Sequence, residues 1–147
     1  MTQEVQEVQE VQEAQDLVSF LSQTPVTELE YEITIPGRLS KFKFKVKPMD
    51  GKQHSRYQQL STTTMPGRNR NVKFNNGKFN ELVLVNNVVY PNFKDASLLA
   101  SKGVNTPEEY INKFLLAGEI DALVNEICKL SGFTVTDTEL EEEVKNS

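Results

Sequence analysis

The chain has 147 residues, is 37% hydrophobic, carries a formal net charge of −5 and holds one cysteine, Cys128. That length suits one domain with tails, and the apolar fraction is low enough to leave part of the chain outside any core. No apolar run reaches the ~18 residues of a membrane span, no basic-then-apolar start marks secretion, and a lone cysteine excludes an internal disulfide; the expectation is a soluble cytosolic protein with no membrane partner.

Charge is laid out in blocks. Residues 1–32 carry eight acidic groups and no basic one, residues 33–80 carry eleven Lys/Arg against Asp50 alone, and residues 81–147 carry twelve acidic and five basic groups. Such blocks bear on partners and solubility, not on fold.

Residues 3–14 repeat Gln-Glu-Val three times and close with Gln-Glu-Ala. A spacing of three drifts by about 60° per step on a 3.6-residue turn. Residues 1–14 are therefore expected to be a low-complexity, disordered or frayed acidic segment. Leu17, Val18, Phe20 and Leu21 then make an apolar turn, a short helix ending before Thr24 and Pro25. A single domain is expected over residues 15–133, followed by an acidic tail over 134–147.

Two strands come next. Tyr31, Ile33 and Ile35 alternate with Glu30, Glu32 and Thr34, and Phe42, Phe44 and Val46 alternate with Lys41, Lys43, Lys45 and Lys47. Period-two patterns of this kind mark strands buried on one face, and Pro36-Gly37 supplies a turn between them. Antiparallel pairing would set the Glu row against the Lys row.

Asp50 is a helix cap for a segment around Lys52–Leu60, with Tyr57 and Leu60 facing inward. Asn75, Asn76 and Gly77, between Phe74 and Phe79, give a hairpin cue or a loop. Glu81–Tyr90 is rich enough in valine to pass for a strand. Lys94–Lys102 reads as a short helix closed by Gly103. Thr106, Pro107 and Glu109 start another helix as N-cap, N1 and N3, carrying Tyr110, Ile111, Phe114 and Leu115. A last helix over Glu119–Ser131 has Ile120, Leu123, Val124, Ile127 and Leu130 in helical register, with Gly132 to close it. The last two helices are expected to form an αα-hairpin.

Catalytic chemistry needs residues in complementary roles, and the sequence supplies none. His54 is the one histidine, has no nucleophile beside it, and reads as a surface residue. Cys128 sits in an amphipathic helix and reads as a structural thiol. Zinc spacings, phosphate-binding glycine loops and a calcium loop are absent from the sequence. The expectation is no enzyme, no cofactor and no metal. Nucleic-acid binding by segment 33–80 is the alternative, because Arg68, Arg70, Lys73 and Lys78 interleave with Phe74 and Phe79. The acidic whole and the lack of a basic recognition helix rank it second.

The run from Val88 to Phe133 resembles the C-terminal half of XkdN-like phage tail assembly chaperones. The matching pieces are Val89–Phe93, Leu98–Gly103, Pro107–Glu109, Leu115–Glu119 and Ser131–Phe133. The front half agrees more loosely, at Phe20–Leu21, the strand pair and Pro66–Arg68, so coverage is about 17–133. With the residue patterns, the resemblance implies an α+β fold: a small N-terminal β-hairpin, then a C-terminal helical bundle, with disordered or frayed acidic ends. It also implies that Glu81–Tyr90 is helical. The implied role is in tail morphogenesis of a contractile-tailed phage or phage-like particle, in the host bacterial cytoplasm. There the chain would bind the tape measure protein, with tail tube subunits and a second copy of itself as further candidate partners, and be absent from the finished particle. A helical client would lie on an apolar helix face. Tyr110, Phe114, Leu115, Ile120, Leu123 and Ile127 are the expected contact residues; the competing reading is that they fill the core.

Overall fold

Opposite charge and alternation place the first two strands as expected. In the computed structural model, which describes residues 16–67 and 71–133, β1 (Tyr31–Ile33) and β2 (Phe44–Val46) pair antiparallel with Glu32 opposite Lys45. Lys45 Nζ lies 2.9 Å from Glu30, Lys43 Nζ 3.7 Å from Glu32 and Lys47 Nζ 3.9 Å from Glu30. The hydrogen bond between Lys45 and Glu30 lowers the pKa of the carboxyl and raises that of the amine. Exposed pairs like these favour a register more than they add stability. Behind them Phe44 and Val46 are buried.

The hairpin is not left alone. A third strand, β5 (Val88–Tyr90), pairs antiparallel on the other side of β2, giving the order β1-β2-β5. The C-terminal half thus completes the N-terminal sheet. A separate two-stranded ribbon is made by β3 (Thr62–Thr64) and β4 (Val72–Phe74).

The helices start where side chains can cap them. Residues 16–23 form α1, whose apolar Leu17, Val18, Phe20 and Leu21 are all exposed. Asp50 caps α2 (Gly51–Leu60), its Oδ1 accepting from Gln53 N at 2.7 Å. Tyr57 is buried as expected, but Leu60 is exposed. Ser61, four residues after Tyr57, takes the inward position instead. Asn75 caps α3 (Asn76–Asn87) by accepting from Lys78 N at 3.0 Å. Asn75–Gly77 is therefore a helix start, and the hairpin lies just before it. Glu81–Tyr90 divides at Asn87: helix up to that residue, strand after it.

Asn87 is fully buried and explains the division. Its Nδ2 donates to Lys47 O at 3.1 Å and Pro48 O at 3.3 Å, its Oδ1 accepts from Tyr57 Oη at 2.8 Å, and its backbone O accepts from Lys47 N at 2.7 Å. Burial, with a smaller push from Asp50, raises the Tyr57 phenol to about 12, which keeps it a donor.

Asp95 caps the short α4 (Ala96–Ser101), and Thr106 caps α5 (Pro107–Phe114) with Pro107 in its first turn. The last helix, α6 (Ala117–Leu130), ends at Gly132, whose φ of +93° suits glycine. There Gly132 N donates to Lys129 O and Phe133 N to Cys128 O, the paired bonds of a Schellman ending. The expected αα-hairpin gives way to a different packing. Both α5 and α6 make their main helix contacts with α3, so α3 is the centre of the bundle. Val83 and Leu84 of α3 meet Ile111, Leu123, Val124 and Ile127 in one cluster that also takes in Phe44, Val46, Tyr57 and Phe93. The architecture is α+β, and no helix among the described residues is long and apolar enough to cross a membrane. Segments 1–14 and 134–147 lie outside the described residues.

Candidate functional site

The α5–α6 elbow carries the stripe picked out by sequence, and the structure divides it. Leu123 and Ile127 are fully buried, while Tyr110, Phe114, Leu115 and Ile120 are half-buried and Leu116 is 59% exposed. The aromatic members form a chain. Phe93 and Tyr110 have ring centroids 5.8 Å apart, Tyr110 and Phe114 4.8 Å, and Lys113 Nζ lies 5.7 Å from the Phe114 ring centre. The buried Phe93 anchors one end of this chain, and the elbow opens it to solvent at the other. Leu116, absent from the sequence-based set, is the exposed apolar residue of the elbow; its place directly after Leu115 was the available signal.

One ion pair fixes the elbow. Arg38, from the turn after Pro36-Gly37, donates through Nε to Glu119 Oε2 at 2.8 Å and through Nη2 to Glu119 Oε1 at 2.9 Å. Arg38 Nη2 also donates to Phe114 O at 2.8 Å, and Glu119 Oε1 accepts from Leu116 N at 2.7 Å. The end of α5, the start of α6 and the N-terminal sheet are thereby joined through two side chains. The Arg38 hydrogen bond holds the Glu119 carboxyl below the usual carboxylate range, against the opposing effect of burial. A bidentate pair on a carboxylate is among the stronger arrangements of its kind.

Elsewhere the described residues offer packing more than chemistry. His54 is no free surface residue: it is half-buried, its ring 4.6 Å from that of Phe133 and 5.9 Å from that of Phe79. Cys128 is half-buried, burial raises its pKa, and it lines a groove of about 340 Å³ between α3 and α6 with Phe79 and Val124. No group of three His, Cys, Asp or Glu side chains among the described residues could hold a metal ion. Of the basic set, Lys73 on β4 and Lys78 on α3 are exposed. Arg68 and Arg70 lie outside the described residues.

The phage XkdN-like tail assembly chaperone family matches residues 17–145. The chain belongs to that family. The match begins where the sequence resemblance does and continues into the acidic C-terminal segment. As a tail assembly chaperone the chain works with phage tail proteins, and the family points to a non-enzymatic role. The crystal structure of the protein YqbN is similar, with a TM-score of 0.58 at 21% identity over 78% of this chain and 94% of that one; at that identity the likeness is one of fold. No curated protein matches the chain.

Proposed function

We propose that this tail assembly chaperone binds the tape measure protein of its own tail, and tail tube subunits with it, through the apolar strip of the α5–α6 elbow. Membership of the chaperone family carries the reading. Tyr110, Phe114, Leu115, Leu116 and Ile120 support it, being apolar, partly open and grouped at the corner that the Arg38–Glu119 pair holds. A long amphipathic helix would lay its apolar side along such a strip. Leu123 and Ile127, buried beneath, support the strip from within. The chain works in this reading as a non-enzymatic holder of client in the host cytoplasm and leaves before the particle is finished. Lys43, Lys45 and Lys47 pair with Glu30 and Glu32, which takes these three cations out of the alternative nucleic-acid surface.

Co-expression with the tape measure protein from the same gene cluster tests this. Soluble client that co-purifies with the chain is the expected outcome. Insoluble client with no co-purification contradicts the reading.

A further inference from the structure

The facing sides of α3 and α6 flank a groove that none of the elbow residues lines. Its volume is about 340 Å³, at the small end of the ~300–1,000 Å³ of ligand pockets. Room on that scale suits one long side chain and not a helix. Helical spacing builds both walls. Asp121, Val124, Asn125 and Cys128 fall at i, i+3, i+4 and i+7 on α6, and Asn76, Phe79 and Asn80 at i, i+3 and i+4 on α3. Burial sorts them into two layers. Phe79 and Val124 are buried and Cys128 is half-buried, which makes an apolar floor. Asn76, Asp121 and Asn125 are exposed and Asn80 is half-buried, which makes a polar rim.

The rim is rich in acceptor oxygens and short of cations. Asp121 Oδ1 accepts from Asn80 Nδ2 at 3.3 Å, a long and exposed bond. Among the described residues the ion pairs go to Glu30, Glu32, Glu119 and Glu126, and none goes to Asp121. An ionised carboxylate has about four acceptor sites, so most of the capacity of Asp121 is unspent within the described fold.

We propose that the groove receives one arginine side chain of a partner tail protein, with its stem on Phe79, Val124 and Cys128 and its guanidinium on Asp121 and the rim amides. Charge selects a cation, because the one ionised group lining the groove is a carboxylate. Shape selects a long one, because an apolar floor beneath a polar rim matches an apolar stem with a charged head. The donor count separates arginine from lysine. A guanidinium carries five N–H donors in a fixed plane and can reach Asp121 together with the side-chain oxygens of Asn80 and Asn125, whereas an ammonium is a compact point charge with three. That the occupant is a residue of a protein follows from the family, whose work is on tail proteins. The proposal does not depend on which tail protein occupies the elbow.

The full chain titrated with N-acetylarginine amide, and separately with the neutral citrulline counterpart of the same shape, tests this. Arginine is expected to move the side-chain amide signals of Asn80 and Asn125 to saturation, with an affinity about tenfold above that of citrulline, since a charge-assisted hydrogen bond is the stronger kind. Cys128 is a built-in second reporter: saturating arginine should slow its alkylation by a maleimide roughly fivefold as access to the thiol closes. Asp121→Asn, an exposed and nearly isosteric change, should bring arginine down to the citrulline value with the urea midpoint unmoved. Equal binding of the two compounds overturns the proposal. So does arginine that leaves Asn80, Asn125 and Cys128 unaffected, whether it binds at the elbow or nowhere, and so does an arginine preference that survives in Asp121→Asn.

Discussion

Ile120 and Ile127 lie seven residues apart on one side of α6, yet Ile127 is fully buried and Ile120 only half so. The inner end of that helix packs on α3, and the outer end stands at the elbow with Tyr110, Phe114 and Leu115. The difference is one of position along the axis, not of helical face. Periodicity reports the face alone. Core and candidate contact therefore look identical in sequence, and only the placement of α3 separates them.

The comparison is sharpest at its buried end. Ile127→Ala should cost about 2–5 kcal/mol, the usual loss for a large side chain cut back in a packed core, measured by urea unfolding. A loss below about 1 kcal/mol would mean that the site collapses or that Ile127 is less enclosed than described. Next comes Asn87→Ala, which leaves the buried Tyr57 hydroxyl and the Pro48 carbonyl short of partners. About 1–3 kcal/mol is expected for that, again from urea unfolding, with helix content retained.

The elbow should respond to acid in a particular direction. The folded state depresses the Glu119 pKa below its ordinary value of 4.5, so the unfolded chain binds that proton more readily. The stabilisation is complete above the ordinary value and fades as pH falls through the lowered one. Glu119→Gln should flatten the loss of stability below about pH 4.5, and an unchanged acid limb in the variant would show that the Arg38 pair does not set it. The smallest effect on stability is expected at the open end, for Phe114 and Ile120.

How much was readable from the residues follows the same divide between local and distant causes. The Glu and Lys rows predicted the β1–β2 pairing because both signals sit within the strands. Thr106-Pro107 and Gly132 marked helix ends for the same reason. Asn75 misled because its side chain supplies one hydrogen bond to a turn or to a helix start, and the helix won. Asn87 ended α3 through partners about forty residues away at Lys47 and Pro48, which no local window contains. The valines of Val88–Tyr90 did signal a strand, but its pairing with β2 and the central role of α3 were hidden likewise. The apolar residues of the candidate strip were legible one by one. Their division between core and surface was not.

The most direct test compares the two ends of the stripe in one experiment. Phe114→Ala, Ile120→Ala and Ile127→Ala chains would each be measured for urea stability and for recovery of co-expressed tape measure protein. The account predicts that Phe114→Ala and Ile120→Ala lose client while their unfolding midpoints stay near the parent, and that Ile127→Ala loses stability first. Client recovery that simply follows stability across all three would contradict it, and would return the whole stripe to the core.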